Sequence, residues 1–277
     1  MPDSLENKIA VVTGSSAGLG REISRQLARC GATVILNGRN EERLRKTVSR
    51  LREEDLEVSG IAADAGSPEQ AERLVNQTLE KFGRIDILVN NAGGGMKGLF
   101  EEMRPAAIQT ILNNNLMSAT YMTRYALPAI RKSAGSIVFI SSLAGRLGFP
   151  VLSLYSMSKM ALTALIQSLR VELKGSRIHL GILYVGFVRD DPDKTIIDAG
   201  GKPVPGHSKP KRLAQSQQKV SKAVIRMIKK RKRKMTLSLA GKVMGFFIRL
   251  SPSLITAIFS AGSRRLRKIY YPEKEIR

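Results

Sequence analysis

The chain has 277 residues, of which 43% are apolar and 25% are charged, so it is long enough for one large α/β domain and too apolar for a disordered chain. The single cysteine, Cys30, excludes an intramolecular disulfide, and one thiol with two histidines predicts no zinc site of the usual ligand types. Of the formal net charge of +23, residues 207–277 carry +18, because they hold 20 Lys and Arg against two Glu.

The N-terminal segment has no apolar run before Ile9, so we expect no signal peptide and a cytoplasmic protein. Short aliphatic runs, typical of buried parallel strands, then alternate with helical patterns. The predicted strands are 8–13, 32–37, 56–64, 85–90, 135–141, 177–185 and 235–240. One helix is predicted to begin at Ser67 with a capping box and to stop at Gly83, and another to cover 215–228.

Strands that alternate with helices imply right-handed crossovers and a doubly wound sheet. The sequence therefore predicts an α/β fold of the Rossmann type with a seven-stranded parallel sheet. We expect one catalytic domain over residues 1–240 and a basic, amphipathic, helical extension over residues 241–277.

Two of the helical stretches carry almost no charge. Residues 105–127 contain only Arg124, and residues 153–169 contain only Lys159. Helices this poor in charge are covered on more than one side. Close packing on the sheet is one explanation and a subunit interface is the other. We favour the interface and expect a homo-oligomer, either a dimer or a tetramer.

The sequence TGSSAGLG, residues 13–20, connects the first predicted strand to the first helix. Its glycines let the backbone turn tightly and approach a pyrophosphate, which the free N–H groups at the helix N-terminus would bind. A glycine-rich loop at this junction predicts a dinucleotide site, with a simple tight turn as the alternative. The predicted cofactor contacts in the loop are Gly14, Ser15, Ser16, Gly18, Leu19 and Gly20.

Two more motifs follow in a characteristic order, Asn-Asn-Ala-Gly at 90–93 and Tyr-Ser-Met-Ser-Lys at 155–159. With the glycine spacing Gly-x-x-x-Gly-x-Gly at 14–20, they resemble the short-chain dehydrogenase/reductase family over roughly residues 5–240. The resemblance implies an NAD(P)-dependent enzyme that interconverts a ketone and an alcohol. It also implies further cofactor contacts at Asp64 and Ala65 near the adenine and at Asn91, Ala92 and Gly93 under the adenosine ribose.

The end of the second predicted strand indicates which cofactor is preferred. A carboxylate there would bind the ribose 2′-OH of NAD, but the sequence reads Asn37-Gly38-Arg39-Asn40. The Arg39 guanidinium could pair with a 2′-phosphate, so NADP is favoured over NAD. A solvated arginine at a helix start is the alternative.

Tyr155 and Lys159 lie four residues apart and therefore share one helix face. A free tyrosine titrates near pH 10, and a nearby positive charge stabilises its phenolate. Burying Lys159 on a charge-poor helix is costly unless the ammonium has a task. The resemblance implies that Tyr155 is the acid/base and that Lys159 assists it.

The resemblance also implies two polar residues that complete the catalytic site. Ser142 lies 13 residues before Tyr155, as does the family serine that orients the substrate. Asn115 matches the family asparagine that kinks its helix and holds a water for proton relay. Because Asn113 and Asn114 precede it, the alignment with the family asparagine stays open by one position.

The segment after the sixth predicted strand departs from the family pattern. Val185 stands where proline is usual, and Asp190 stands near the threonine that meets the nicotinamide. We expect backbone contacts from Val188 and leave the side-chain contact open. A lid is predicted over 187–218. The expected pocket rim is apolar and favours a lipophilic ketone or alcohol; it comprises Met96, Leu143, Phe149, Leu154 and Phe187.

Six consecutive cations, residues 229–234, lie between the last predicted helix and strand, where they also suit the helix dipole. In the extension, the charge-free stretch 250–263 is too short for a membrane span, which needs about 20 residues. We favour peripheral contact with an anionic membrane surface, at the inner face of a membrane. Nucleic-acid binding is disfavoured because residues 207–245 contain no stacking aromatic residue and no recognition motif appears. A solvated face, with the extension packed on a neighbouring subunit, is a further alternative, as is a weak or inactive family member that acts through its basic tail.

Overall fold

A computed structural model of the protein describes residues 4–189, 195–205, 214–238 and 241–243 and the single positions 245, 247, 257, 260 and 262. Seven strands form one parallel sheet: β1 Ile9–Val12, β2 Thr33–Gly38, β3 Val58–Ala62, β4 Ile87–Asn90, β5 Ser136–Ser142, β6 His179–Val185 and β9 Lys234–Thr236. Their order is β3-β2-β1-β4-β5-β6-β9. The predicted doubly wound, seven-stranded parallel sheet is confirmed.

The helices lie on both faces of this sheet. They are α1 Gly18–Arg29, α2 Glu41–Arg52, α3 Pro68–Phe82, α4 Pro105–Leu112, α5 Ser118–Lys132, α6 Ser153–Glu172 and α7 Gln217–Lys229. Successive strand residues alternate between two buried cores. Ala10 and Val12 contribute to the core under α1, α2 and α7, whereas Ile9 and Val11 contribute to the core under α3, α5 and α6. Burial on both faces explains why the strands read as continuous aliphatic runs.

The predicted ends of α3 agree with the structure, with one exception. The Ser67 hydroxyl accepts a hydrogen bond from the Gln70 N–H at 3.3 Å, and Gly83 ends the helix with φ +71. The reciprocal half of the capping box is absent. The Gln70 side chain instead accepts a hydrogen bond from the Asp64 N–H at 2.9 Å, so it stabilises the segment that follows β3.

The charge-poor region 105–127 is an interrupted helix, because a π-helical turn, Asn113–Met117, separates α4 from α5. The inner face of α6 packs on the sheet through Leu162 and Ile166. Its outer face exposes Met157 and Met160, which are 47% and 44% exposed. The chain therefore covers only one side of this helix, and the homo-oligomer stays a prediction.

The lid and the extension are described in part. Within the predicted lid, β7 Thr195–Ile197 and β8 Pro203–Pro205 form an antiparallel hairpin. The last strand is shorter than predicted, because pairing with β6 stops at Thr236. In the part of the chain that the structure describes, no helix has both the length and the apolar character needed to cross a bilayer. Most of the predicted amphipathic extension, including RRLRK at 264–268, lies outside the described residues.

Candidate active site

The glycine loop joins β1 to α1 at the edge where the parallel strands end. Gly14 has φ +60, and a Cβ on it would lie 2.8 Å from the Ala92 Cα. A Cβ on Gly20 would lie 2.3 Å from the Gly14 carbonyl oxygen. Both positions therefore require glycine, and the first turn of α1 presents bare backbone, as a pyrophosphate site needs.

The other predicted loop residues lie in or beside this turn. The Ser15 N–H donates to the Asn37 carbonyl at 2.7 Å, and its hydroxyl donates to the Val12 carbonyl at 2.7 Å, so Ser15 joins the ends of β1 and β2. Ser16 is buried, whereas Gly18 and Leu19 are half-buried at the start of α1.

The segment after β4 is joined to the glycine loop by hydrogen bonds. The Asn91 amide donates to the carbonyls of Thr13 and Gly14, both at 3.0 Å. The Thr13 hydroxyl accepts from the N–H groups of Asn91 and Ala92, at 3.0 and 2.9 Å. Sequence reasoning missed Thr13. Its signal is a hydroxyl residue at the end of β1, directly before the first loop glycine.

A polar cleft of about 450 Å³ lies beyond the ends of β2 and β3. It is lined by Arg39, Glu41, Ala62, Ala63, Asp64, Gln70 and Arg73. Arg39 is 64% exposed, and its guanidinium lies 4.0 Å from an Asp64 carboxylate oxygen. The cleft brings together the two residues predicted for the cofactor's adenosine end, while Ala65 is buried nearby. Glu41 and Arg73 were missed, and Arg73 reaches the cleft only because α3 packs beside β3.

The π-helical turn determines which of the three asparagines faces the site. Asn115 is fully buried, its side-chain oxygen accepts from the Gly94 N–H at 2.8 Å, and its amide donates to the Gly94 carbonyl at 3.0 Å. A Cβ on Gly93 would lie 2.3 Å from that oxygen and 3.5 Å from the Lys159 Nζ. Asn113 and Asn114 instead contact Gln109 and Arg39. Asn115 is therefore the asparagine that lies beside Lys159.

The predicted catalytic pair lies on α6. Lys159 is 6% exposed, its Nζ donates to the Ile140 carbonyl at 3.1 Å, and the same nitrogen lies 5.9 Å from the centroid of the Tyr155 ring. Ser142 ends β5, and its hydroxyl accepts from the Ala144 N–H at 3.2 Å. The neighbouring Ser141 hydroxyl donates to the Lys159 carbonyl at 3.4 Å, which joins the end of β5 to α6.

An apolar cluster lies against Tyr155. Its buried members are Met96, Met103, Ile111 and Leu154. The β7–β8 hairpin joins this cluster, since the Lys97 N–H donates to the Ile197 carbonyl at 3.0 Å. Of the predicted pocket rim, Met96 and Leu154 are buried, Leu143 and Phe149 are half-buried, and Phe187 is 43% exposed.

Val188 follows β6 and forms an isolated bridge with Gln215. The Gln215 N–H donates to the Phe187 carbonyl at 2.8 Å, and the Arg189 N–H donates to the Gln215 carbonyl at 2.9 Å. The segment before α7 therefore orients the backbone around Val188. Asp190, the departure from the family pattern, lies outside the described residues.

Comparison with known proteins identifies the family. The family profile described as short chain dehydrogenase matches residues 8–199. The chain belongs to the short-chain dehydrogenase family. The resemblance inferred from the three motifs is thereby confirmed.

Two relatives illustrate the range of this family. The chain is 36% identical over 196 residues to 11-beta-hydroxysteroid dehydrogenase A of Arachis hypogaea, which covers 70% of this chain and 56% of that protein. It is 34% identical over 214 residues to the ketoacyl reductase HetN of Nostoc sp., which covers 77% of this chain and 75% of that protein. The chain thus spans little more than half the length of the hydroxysteroid dehydrogenase.

Two solved structures share the fold. An alcohol dehydrogenase of the archaeon Thermococcus sibiricus, in complex with 5-hydroxy-NADP, has a TM-score of 0.73 at 27% identity over 83% of this chain and 95% of that one. A short chain dehydrogenase/reductase of Burkholderia phymatum, in complex with NAD, has a TM-score of 0.78 at 23% identity over 91% and 96%. Because the Burkholderia phymatum protein is only 23% identical to this chain, its structure shows the shared fold and nothing further.

Proposed function

We propose that the protein is an NAD(P)-dependent oxidoreductase that interconverts a ketone and a secondary alcohol, with Tyr155 as the acid/base. The observation that carries this proposal is the buried ammonium of Lys159, 5.9 Å from the Tyr155 ring on an otherwise charge-poor helix face. A buried charge is costly, and a tyrosine beside it gains phenolate character, which suits general acid–base catalysis.

The glycine loop and the Asn91 segment fit a dinucleotide, because the close contacts at Gly14 and Gly20 leave no space for side chains there. When bound, the nicotinamide cofactor supplies or accepts the hydride. Tyr155 donates a proton to the developing alkoxide, or removes one in the reverse direction. Ser142 orients the carbonyl oxygen, and Lys159 with Asn115 supports proton transfer to Tyr155.

NADP is the proposed cofactor, with NAD as the less favoured one. Arg39 and Arg73 both line the cleft at the ends of β2 and β3, where the adenosine end of the cofactor would lie. Two guanidinium groups favour a 2′-phosphate. The carboxylates of Glu41 and Asp64 line the same cleft and would repel a 2′-phosphate.

The proposed substrate is a lipophilic ketone or alcohol. The apolar cluster beside Tyr155 and the apolar rim at Leu143, Phe149 and Phe187 support this class. The names of the two relatives, a hydroxysteroid dehydrogenase and a ketoacyl reductase, point to largely apolar substrates as well.

The test replaces the Tyr155 hydroxyl and measures turnover. A panel of ketones and alcohols, from short and polar to long and apolar, is screened by nicotinamide absorbance. Tyr155→Phe should keep cofactor binding and lose about 10²–10⁴-fold in kcat. Tyr125→Phe, on α5, is the matched control and should keep activity. Near-normal turnover by Tyr155→Phe would refute the role of Tyr155. Cofactor binding by the wild type without turnover on any substrate would support the alternative of an inactive family member.

We also propose that two copies associate through the outer face of α6. Met157 and Met160 are unusually exposed for methionines, and the helix carries no other charge than Lys159 until Arg170. Burying this face in a dimer or tetramer would remove apolar surface from water. Light scattering should report an oligomer that Met157→Lys/Met160→Lys dissociates, and an unchanged mass would contradict the proposal.

A further inference from the structure

The sheet edge opposite the candidate active site, where the strands begin, is strongly basic. Three segments that are distant in sequence converge there: 129–135 before β5, 170–178 before β6, and 226–233 before β9. The Arg231 guanidinium donates to the Ala134 carbonyl at 3.3 Å and also to the Arg177 carbonyl. The Lys232 carbonyl lies 3.0 Å from the His179 Nε2. These contacts hold the six-cation run against the ends of α5 and α6.

Eight exposed cations from these segments form what we call the basic edge: Arg131, Lys132, Lys174, Arg177, Lys230, Arg231, Lys232 and Arg233. Glu172 is the one acidic residue in the three segments. Within the described part of the chain, no carboxylate pairs with any of the eight cations. A cleft of about 470 Å³ opens in this surface, lined by Arg131, Lys132, Lys174 and Arg177 among others.

A purely structural role explains only part of this charge. The C-terminus of a helix favours cations in its last turn, which accounts for Arg131 and Lys132 on α5. Four of the eight cations, however, follow the end of α7 at Lys229. The side chains of Lys132, Lys174, Lys230 and Lys232 make no hydrogen bond within the described residues. Eight like charges on one surface repel one another. Binding to an anionic partner would reduce this repulsion.

We propose that the basic edge binds an anionic phospholipid surface. The charges extend along the sheet edge past the starts of β5, β6 and β9 instead of following one helix. The three segments contain no aromatic residue on which an unpaired base could stack.

This orientation has a consequence for catalysis. The candidate active site lies at the ends of the strands, whereas the basic edge lies at their beginnings. Binding to lipid through the basic edge therefore leaves the candidate active site open to solvent. The proposal does not depend on the proposed reaction, and its test needs no substrate.

The experiment is co-sedimentation of the full chain with vesicles of phosphatidylcholine alone, or of phosphatidylcholine and phosphatidylserine in equal parts, across a salt series. The variant Lys132→Gln/Lys174→Gln/Lys230→Gln/Lys232→Gln removes four charges whose side chains make no hydrogen bond or ion pair among the described residues. The control Arg45→Gln/Lys46→Gln/Arg50→Gln/Lys81→Gln removes four exposed charges from α2 and α3. Thermal melts check that both variants fold.

We expect binding to the anionic vesicles that weakens with salt, and about a hundredfold loss or more in the basic-edge variant, because each cation near an anionic leaflet contributes about a factor of five. The control variant should lose much less. Equal loss in both variants, or equal binding to neutral vesicles, overturns the proposal. Absence of vesicle binding, alone or together with salt-sensitive binding to duplex DNA, overturns it as well.

Discussion

At the scale of single residues, Asn115 and Lys159 reach one point of the site from different elements. The π-helical turn inserts an extra residue between α4 and α5, which directs Asn115 inward to hydrogen-bond the backbone of Gly94. Gly93 allows both side chains to approach, because any Cβ there would collide with the Asn115 oxygen at 2.3 Å. Glycine at position 93 is therefore a condition for the close approach of Asn115 and Lys159, the residues proposed for proton transfer.

We propose that the cofactor preference depends on charged residues of both signs in one cleft, Arg39, Arg73, Glu41 and Asp64. We expect Arg39→Ala to weaken NADPH binding by about 1–3 kcal/mol and to leave NADH binding almost unchanged, since only the phosphate pairs with the guanidinium. Arg73→Ala should act in the same direction, and Glu41→Gln should strengthen NADPH binding. Fluorescence titration with both cofactors measures these effects, and Arg50→Ala on α2 is the control. Equal losses for NADPH and NADH would refute the assignment.

Sequence reasoning predicted the residues that belong to contiguous motifs and missed those that depend on packing. Tyr155 and Lys159 share a helix face at any orientation of that helix, so their spacing was sufficient to bring them together, and their catalytic roles stay a prediction from the family resemblance. Arg73 belongs to no motif and reaches the cleft only through the position of α3. The Gln70 side chain was assigned to a capping box, but the Asp64 N–H offers it a competing hydrogen bond.

At the scale of elements, burial on both faces leaves a continuous apolar signal in β1, β2, β4, β5 and β6, whereas β3 and β9 are only partly buried and carry a weaker one. Their ends were less predictable. The last strand stops at Thr236, before the predicted residue 240, since β9 is an edge strand that pairs only with β6. The β7–β8 hairpin was not predicted either. Its strands have three residues each and are stabilised by contacts with the segment around Met96.

His179 joins β6 to its neighbours on both sides. One ring nitrogen lies 3.2 Å from the Ser136 hydroxyl on β5, and the other lies 3.0 Å from the Lys232 carbonyl before β9. Burial lowers the pKa of His179 below its ordinary value, and the nearby charges of Arg231, Arg170 and Arg233 act in the same direction. The hydrogen bond to the Lys232 carbonyl opposes this shift without reversing it.

A lowered pKa makes stability depend on pH in a defined window. The unfolded chain binds a proton at His179 first as the pH falls through about 6.5, while the folded chain resists protonation. We therefore expect the free energy of unfolding to decrease as the pH falls from about 7 to about 5. His179→Gln should reduce this slope in urea titrations. An unchanged slope would show that His179 does not control stability in this window.

A second buried group titrates outside that window. Burial alone would raise the pKa of the Asp86 carboxyl, but hydrogen bonds from Arg84, the Ile9 N–H and Lys8 lower it below its ordinary value. Its contribution to stability is therefore present above about pH 4 and is lost only at lower pH. The two groups can thus be distinguished by pH alone.

At the scale of the whole molecule, the parallel sheet separates two surfaces. Every strand of this sheet begins at the edge that carries the basic cations and ends at the edge that carries the candidate active site. The C-terminal extension leaves from the second edge, because β9 runs parallel to β6. The predicted strand 235–240 already separated the cationic run from the extension along the chain, and the parallel pairing of β9 with β6 assigns the two to opposite edges of the sheet.

The first residues of the extension pack beside the candidate active site. A Cβ on Gly241 would lie 2.5 Å from a methyl group of Leu143, and one on Gly245 would lie 2.0 Å from the Arg146 guanidinium. Leu143 is the first residue of the short turn that follows Ser142, and Arg146 comes directly after that turn. Arg146 in turn donates to the Thr236 hydroxyl at 2.7 Å. The start of the extension therefore supports the segment that holds Ser142.

Two truncations test whether this support matters. Removing residues 241–277 uncovers Leu143 and Arg146, so we expect a loss of about 1–2 kcal/mol in the free energy of unfolding and a raised KM for apolar ketones. Removing only residues 248–277 keeps the contacting glycines and should leave both quantities close to those of the full chain. In both truncations kcat on a small, soluble ketone should persist, because Asn115, Ser142, Tyr155 and Lys159 all precede the cuts. If the chain that lacks 241–277 matches the chain that lacks only 248–277, both in urea titration and in KM, the start of the extension does not support the Ser142 segment.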